Sequence, residues 1–151
     1  MRPAQTDDLH VLLDLMADFY AESGYALDRA HAAAAFTALL ADSHLGQVWL
    51  IEQGSEVVGH VVVTFVFAME YGGVAAVVDD FYVRPASRGA GLGTAALAEV
   101  RRACAALGMR AMRVEVGRDN AVARSVYLGV GFEVIDRQLM TLRLADPTHV
   151  V

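Results

Sequence analysis

The run Asp79-Asp80-Phe81-Tyr82-Val83-Arg84-Pro85-Ala86-Ser87-Arg88-Gly89-Ala90-Gly91-Leu92-Gly93 joins a strand, a stop and a glycine-rich turn in direct succession. The strand reads from Val74 to Val83, and Pro85 ends it because proline lacks the N–H that a ladder needs. Arg88-Gly89-Ala90-Gly91-Leu92-Gly93 then opens a helix to about Leu107, on which Leu97, Val100, Cys104 and Leu107 form one apolar stripe. Gly108 fits the helix stop. A strand that ends at such a turn leaves the free amides of a helix N-terminus pointing outward, where the dipole favours an anion. Gly89, Gly91 and Gly93 carry no Cβ to hold a phosphate off the backbone, and Arg88 adds a forked, permanently charged donor. The unit reads as a pyrophosphate cradle. It fails as a dinucleotide fingerprint: Thr94 stands where the third glycine belongs, Arg113 stands where an acidic residue should follow, and the unit lies past mid-chain.

Upstream, helical spacing predicts a helix from Asp7 to Tyr20, a break at Glu22-Ser23-Gly24-Tyr25, and a second helix from Asp28 to Ala41. Strands follow at Val48–Glu52 and Val57–Phe67, joined by Gln53-Gly54-Ser55. Downstream, a strand is predicted over Met109–Val116 and a helix capped by Asp119 or Asn120 runs to about Leu128. Two short strands, Phe132–Asp136 and Leu139–Leu144, close the chain. The order is ααββ(β)αβαββ, a mixed sheet with helices on both faces, α+β or α/β in kind.

At 151 residues, 56% of them hydrophobic and 20% charged, the chain has the size and composition of one globular domain over residues 1–151. A net charge of −6 argues against a nucleic-acid partner, which requires a basic surface. All 12 basic residues are arginine, so P-loop and Schiff-base lysine chemistry are excluded. Cys104 is the single cysteine, which excludes an intrachain disulfide and points to the reducing cytoplasm. The N-terminus lacks the pattern of a signal peptide, and the longest apolar stretch, Val57–Ala68, is too short to span a bilayer, so no membrane association is expected. No His, Asp or Glu set has metal-ligand spacing, so no metal is expected. His60 reads as a hydrogen-bonded core histidine and Trp49 as core.

A second motif, Asn120-Ala121-Val122-Ala123-Arg124-Ser125-Val126-Tyr127 with Gly131-Phe132, follows the glycine turn after 27 residues (Gly93 to Asn120). Together with the acidic-aromatic strand and Arg88-Gly89-Ala90-Gly91-Leu92-Gly93, it resembles the signature of the GCN5-related N-acetyltransferases (GNAT). The opening Arg2-Pro3-Ala4 with Asp7-Asp8-Leu9 is similar to that family's usual start, with a short first strand.

The resemblance implies a GNAT-like acyl-CoA N-acyltransferase fold, acetyl-CoA as donor and an amine as acceptor. By position, the backbones of Phe81 and Val83 would pair with the pantetheine arm, and the amides of Arg88, Gly89, Ala90, Gly91, Leu92, Gly93 and Thr94 would hold the pyrophosphate. Asn120, Ala123 and Tyr127 would meet the thiol end, and their spacing places them on one helix face. Tyr127 resembles the acid that protonates the departing thiolate. Candidate bases are Asp79 and Asp80, which strand alternation would turn to opposite faces, and Glu115, which matches an acidic position that serves as base in some relatives. The break between the first helices lines the family's acceptor pocket. There Glu22, Ser23 and Tyr25, with Glu70 and Tyr71, would suit a small cationic amine.

The expected activity is therefore acetyl transfer by direct attack in a ternary complex; Cys104, on a helix stripe, lies outside the loop where an acyl-enzyme would form. A non-catalytic acyl-CoA sensor or regulatory module is the alternative. The long apolar strand Val57–Phe67 would suit a homodimer interface as well as burial in the sheet.

Overall fold

The computed structural model describes residues 1–142 and 144. Two helices come first, α1 (Leu9–Ser23) and α2 (Arg29–Ala41). Gly24 ends α1 in the left-handed conformation at φ 74°, and the Asp28 side chain caps α2 by accepting from the His31 N–H at 3.0 Å. A five-stranded sheet follows the order β1 (Arg2–Pro3), β2 (Gly46–Gln53), β3 (Glu56–Ala68), β4 (Gly73–Val83), β5 (Ala111–Val114). The first four strands are antiparallel neighbours, and β5 joins β4 in parallel. Helix α3 (Leu92–Ala106) connects β4 to β5, and α4 (Ala121–Val130) follows.

Strand alternation divides the core between two layers. Trp49, Val61, Val63 and Val78 pack under α3 and α4 with Leu97, Val100, Cys104 and Tyr127. Val48, Leu50, Val62 and Tyr82 pack under α1 and α2 with Leu12, Leu15 and Phe36. Helices thus cover both faces. The predicted helix stripe ends one residue early, because Leu107 is exposed at the α3 C-cap. The far end of β3 is also exposed, at Val66 and Phe67.

Two irregularities of β4 shape the site. It pairs with β5 only through Ala75–Val78, so its edge from Asp79 to Val83 lies open where the strands part. On the other side Val62 faces Asp80 and Val63 faces Val78, which leaves Asp79 as the extra residue of a β-bulge.

The two strands predicted at Phe132–Asp136 and Leu139–Leu144 do not form among the described residues; Arg143 lies outside them. Val134, Ile135, Leu139, Met140, Leu142 and Leu144 are all exposed. A run of β-formers becomes a strand only against a ladder partner and a face to bury. The outer edge of the four-residue β5 offers a short ladder. Among the described residues no helix is long and apolar enough to cross a membrane.

Candidate active site

The glycine turn does two different jobs. Gly89 and Gly91 hold φ of 82° and 76°, which a side chain would strain. Gly93 sits in the first turn of α3, where a Cβ would come within 3.0 Å of the Phe81 ring. The amides of Gly89, Ala90 and Gly91 donate to no backbone acceptor among the described residues, and those of Leu92, Gly93 and Thr94 belong to the unpaired first turn of α3. Six consecutive N–H groups are therefore available to an anion. The Arg88 amide, included in the cradle by sequence, is not; it closes a turn on the Pro85 carbonyl at 3.2 Å.

The Arg88 side chain is engaged as well. Its Nε donates to the Val83 carbonyl at 2.7 Å, and its two terminal nitrogens donate to the Glu22 carboxylate at 2.8 and 2.7 Å. The guanidinium also lies over the Tyr82 ring, 5.5 Å from its centre. Glu22 stands in the last turn of α1, where the helix dipole disfavours a carboxylate; Arg88 offsets that and holds Glu22 below the usual glutamate range. Two residues assigned by sequence to opposite substrates thus bind one another.

On β4, the Arg84 N–H donates to the Val58 carbonyl on β3 at 2.8 Å. Alternation then turns the backbone groups of Phe81 and Val83 away from β3, to the open edge. The Val83 carbonyl is taken by Arg88, leaving the Val83 N–H and both Phe81 groups.

Helix α4 begins at Asn120, whose side chain accepts from the Ala123 N–H at 3.0 Å. Two turns on from Asn120, the Tyr127 ring is buried between Phe81 (6.1 Å) and Phe132 (5.5 Å). Burial, and secondarily the charge of Asp80, push its hydroxyl up to about 12, so it stays protonated at neutral pH. Glu115 follows β5, exposed in a cleft of about 1380 Å³ that also contains Tyr127, Glu70 and the chain after Gly131.

The two aspartates do not part as alternation predicts. Because of the bulge, both Asp79 and Asp80 line one cavity of about 440 Å³ between α2 and the sheet. Burial and the neighbouring Asp80 raise Asp79 above the usual aspartate range. Asp80 is 11% exposed, and its Oδ2 lies 3.5 Å from Nε2 of His60. His60 is core, as expected, but not hydrogen-bonded: it is fully buried and neither ring nitrogen has a partner. Tyr20, unmarked in the sequence, stands close by, its hydroxyl raised by burial and by the charges of Asp80 and Asp79.

The remaining acceptor candidates lie elsewhere. Glu70 pairs with Arg137 at 2.9 Å and with Arg113 at 3.7 Å, and Tyr25 is exposed with its ring edge on Tyr20 at 5.9 Å. Sequence reasoning missed the cavity under α2 and the approach of His60 to Asp80. Both depend on the pairing of β3 with β4, which sets His60 opposite Tyr82 and Val62 opposite Asp80, and the only signal available was a histidine inside an apolar strand.

The acetyltransferase (GNAT) family profile matches residues 10–132. An integron cassette protein from the mobile metagenome of Cole Harbour Salt Marsh is 47% identical, with a TM-score of 0.88 over 97% of this chain and 91% of that one. A predicted acetyltransferase from Clostridium acetobutylicum, solved with acetyl-CoA, shares the fold at 19% identity, with a TM-score of 0.79 over 93% of this chain and 94% of that one. The aminoglycoside N-acetyltransferase AAC(6')-Iy, solved with CoA, does so at 16% identity, with a TM-score of 0.81 over 95% and 93%. A comparison with curated proteins gives no match. With the family profile spanning both the glycine turn and the Asn120–Tyr127 helix, the chain belongs to the GNAT acetyltransferase family.

Proposed function

We propose that the protein is an N-acetyltransferase that moves the acetyl group of acetyl-CoA to an amine by direct attack in a ternary complex, in the cytoplasm that its lone buried Cys104 suits. The observation that carries this reading is the run of six unpaired amides, Gly89 to Thr94, beside the open edge of β4, with Tyr127 and two carboxylates beyond it. The amides and the helix dipole take the donor's pyrophosphate. Phe81 and the Val83 N–H take its arm as an added strand.

Asp79 is the base. A carboxylate raised above its usual range is the better proton acceptor, and it is exposed enough to pass the proton to water. Asp80 supplies the charge that draws the ammonium in. The neutral amine nitrogen then bonds to the carbonyl carbon, the C–S bond breaks, and the nitrogen's remaining extra proton leaves through water. Tyr127 donates a hydrogen bond to the departing sulfur. Asn120 and Ala123 shape the same end of the pocket; Glu115, across the cleft, is a second route for the amine proton.

The test is a thermal shift with acetyl-CoA, with NAD and ATP as controls, followed by release of free thiol on adding amines. Acetyl-CoA at 100 times its Kd adds about 2.7 kcal/mol, or about 5–10 °C for a domain of this size. A shift with acetyl-CoA alone, and thiol release only with amine present, is the expected result. Equal shifts with all three, or none, would defeat the reading.

A further inference from the structure

We infer that the acceptor is a monoamine with a single apolar arm: its ammonium meets Asp79 and Asp80, and its arm lies in the cavity under α2. The inference rests on the acetyltransferase reading above and adds the substrate class. Among the described residues lining the cavity, Asp79 and Asp80 alone are charged. The walls are Met16 of α1, Ala32, Phe36 and Leu39 of α2, and Val62 and Phe65 of β3. At about 440 Å³ the cavity lies near the small end of the range for small-molecule sites. Its room comes from α2, where Ala32, Ala35 and Ala38 present methyl groups in places a leucine would fill.

The carboxylate end is polar on its inner side. His60, wholly buried and without a hydrogen-bond partner among the described residues, stands 3.5 Å from Asp80. A buried polar group left unpaired costs stability, and an apolar residue would cost nothing there. A histidine at this position keeps a polar neighbour behind a carboxylate that otherwise faces apolar walls. A polycation fits poorly: beyond the aspartates it meets hydrocarbon, and Glu22 and Glu70, which do not line the cavity, are held by Arg88 and Arg137.

Thiol release from acetyl-CoA, measured with propylamine, butylamine, pentylamine, phenethylamine and spermidine, tests the inference. KM should fall about threefold per added methylene until the cavity is full. Phenethylamine should exceed spermidine at least tenfold in kcat/KM. Ala35→Trp, at an exposed position of α2, should raise the phenethylamine KM at least tenfold and leave the thermal shift with acetyl-CoA intact. If that variant does not fold, the chain-length series on the unaltered protein decides alone. A KM independent of chain length, a preference for spermidine, or an Ala35→Trp protein with unchanged KM overturns the inference. A protein that shifts with acetyl-CoA and gives a flat series loses only the apolar arm; one that does not shift loses the acetyltransferase reading and the inference with it.

Discussion

The two halves of the site treat their carboxylates in opposite ways. Where the glycine turn meets α1, Glu22 is clasped by both terminal nitrogens of Arg88, about 44% exposed and fully matched in charge. Under α2, Asp79 forms no ion pair among the described residues, and Asp80 approaches the His60 ring at 3.5 Å without a hydrogen bond. An exposed ion pair contributes little to stability, whereas unpaired carboxylates against apolar walls carry a desolvation penalty that a cationic ligand can relieve. The first arrangement is complete in the free protein. The second leaves its carboxylates unmatched in charge among the described residues.

The largest effect should come from the unmatched half. Asp79→Asn is expected to lower kcat about a hundredfold or more, since it removes the base. Asp79 is raised above the usual aspartate range, so in the unaltered protein activity should be lost as pH falls through that raised value, where the carboxylate gains a proton. The variant's pH–rate profile should lack this limb; a limb that stays in place would remove Asp79 from its role and leave Asp80 or Glu115.

Tyr127→Phe tests the link between the halves, because Asp80 helps to raise its hydroxyl to about 12. Turnover should fall about 10- to 100-fold while acetyl-CoA affinity, measured by calorimetry, stays within about twofold. An unchanged kcat would make Tyr127 a packing residue between Phe81 and Phe132.

The smallest effect belongs to the matched half. Glu22→Gln should change stability by less than about 1 kcal/mol and, by releasing Arg88 to the donor phosphates, tighten acetyl-CoA binding about two- to fivefold. Arg88 holds Glu22 below its usual range, so the pair's contribution is full above the ordinary glutamate range and is lost as pH falls through the lowered value. Melting temperatures of the variant and the unaltered protein should therefore differ at pH 7 and converge as pH falls through that lowered value. Weaker acetyl-CoA binding in Glu22→Gln would show instead that the clasp positions Arg88 for the donor.

Local signals in the chain located the four α-helices and the long central strands among the described residues, although α1 runs on to Ser23, so the predicted break begins at Gly24 and not at Glu22. Asp28 and Asn120 cap the helices they announce, and the Pro85 stop and the glycine turn fall where β4 ends and α3 begins. These features depend on neighbours a few residues away. The C-terminal strands did not follow: Val134, Ile135 and Leu139 are exposed and join no ladder among the described residues, where the outer edge of the four-residue β5 offers only a short one. Glu22 and Arg88 were each legible as functional candidates, but their pairing across 66 residues was not.

The sequence by itself determined the strand–glycine turn–helix unit and the Asn120–Tyr127 face, because turn conformation, capping and helical periodicity are set by residue type at short range. Only the tertiary structure decided that Asp79 and Asp80 share a cavity, that His60 stands behind Asp80, and that Glu22 is already bound. The bulge opposite Val62 and Val63 shifts the register of β4 by one residue, and a one-residue shift redirects the side chain that the strand would otherwise have turned away.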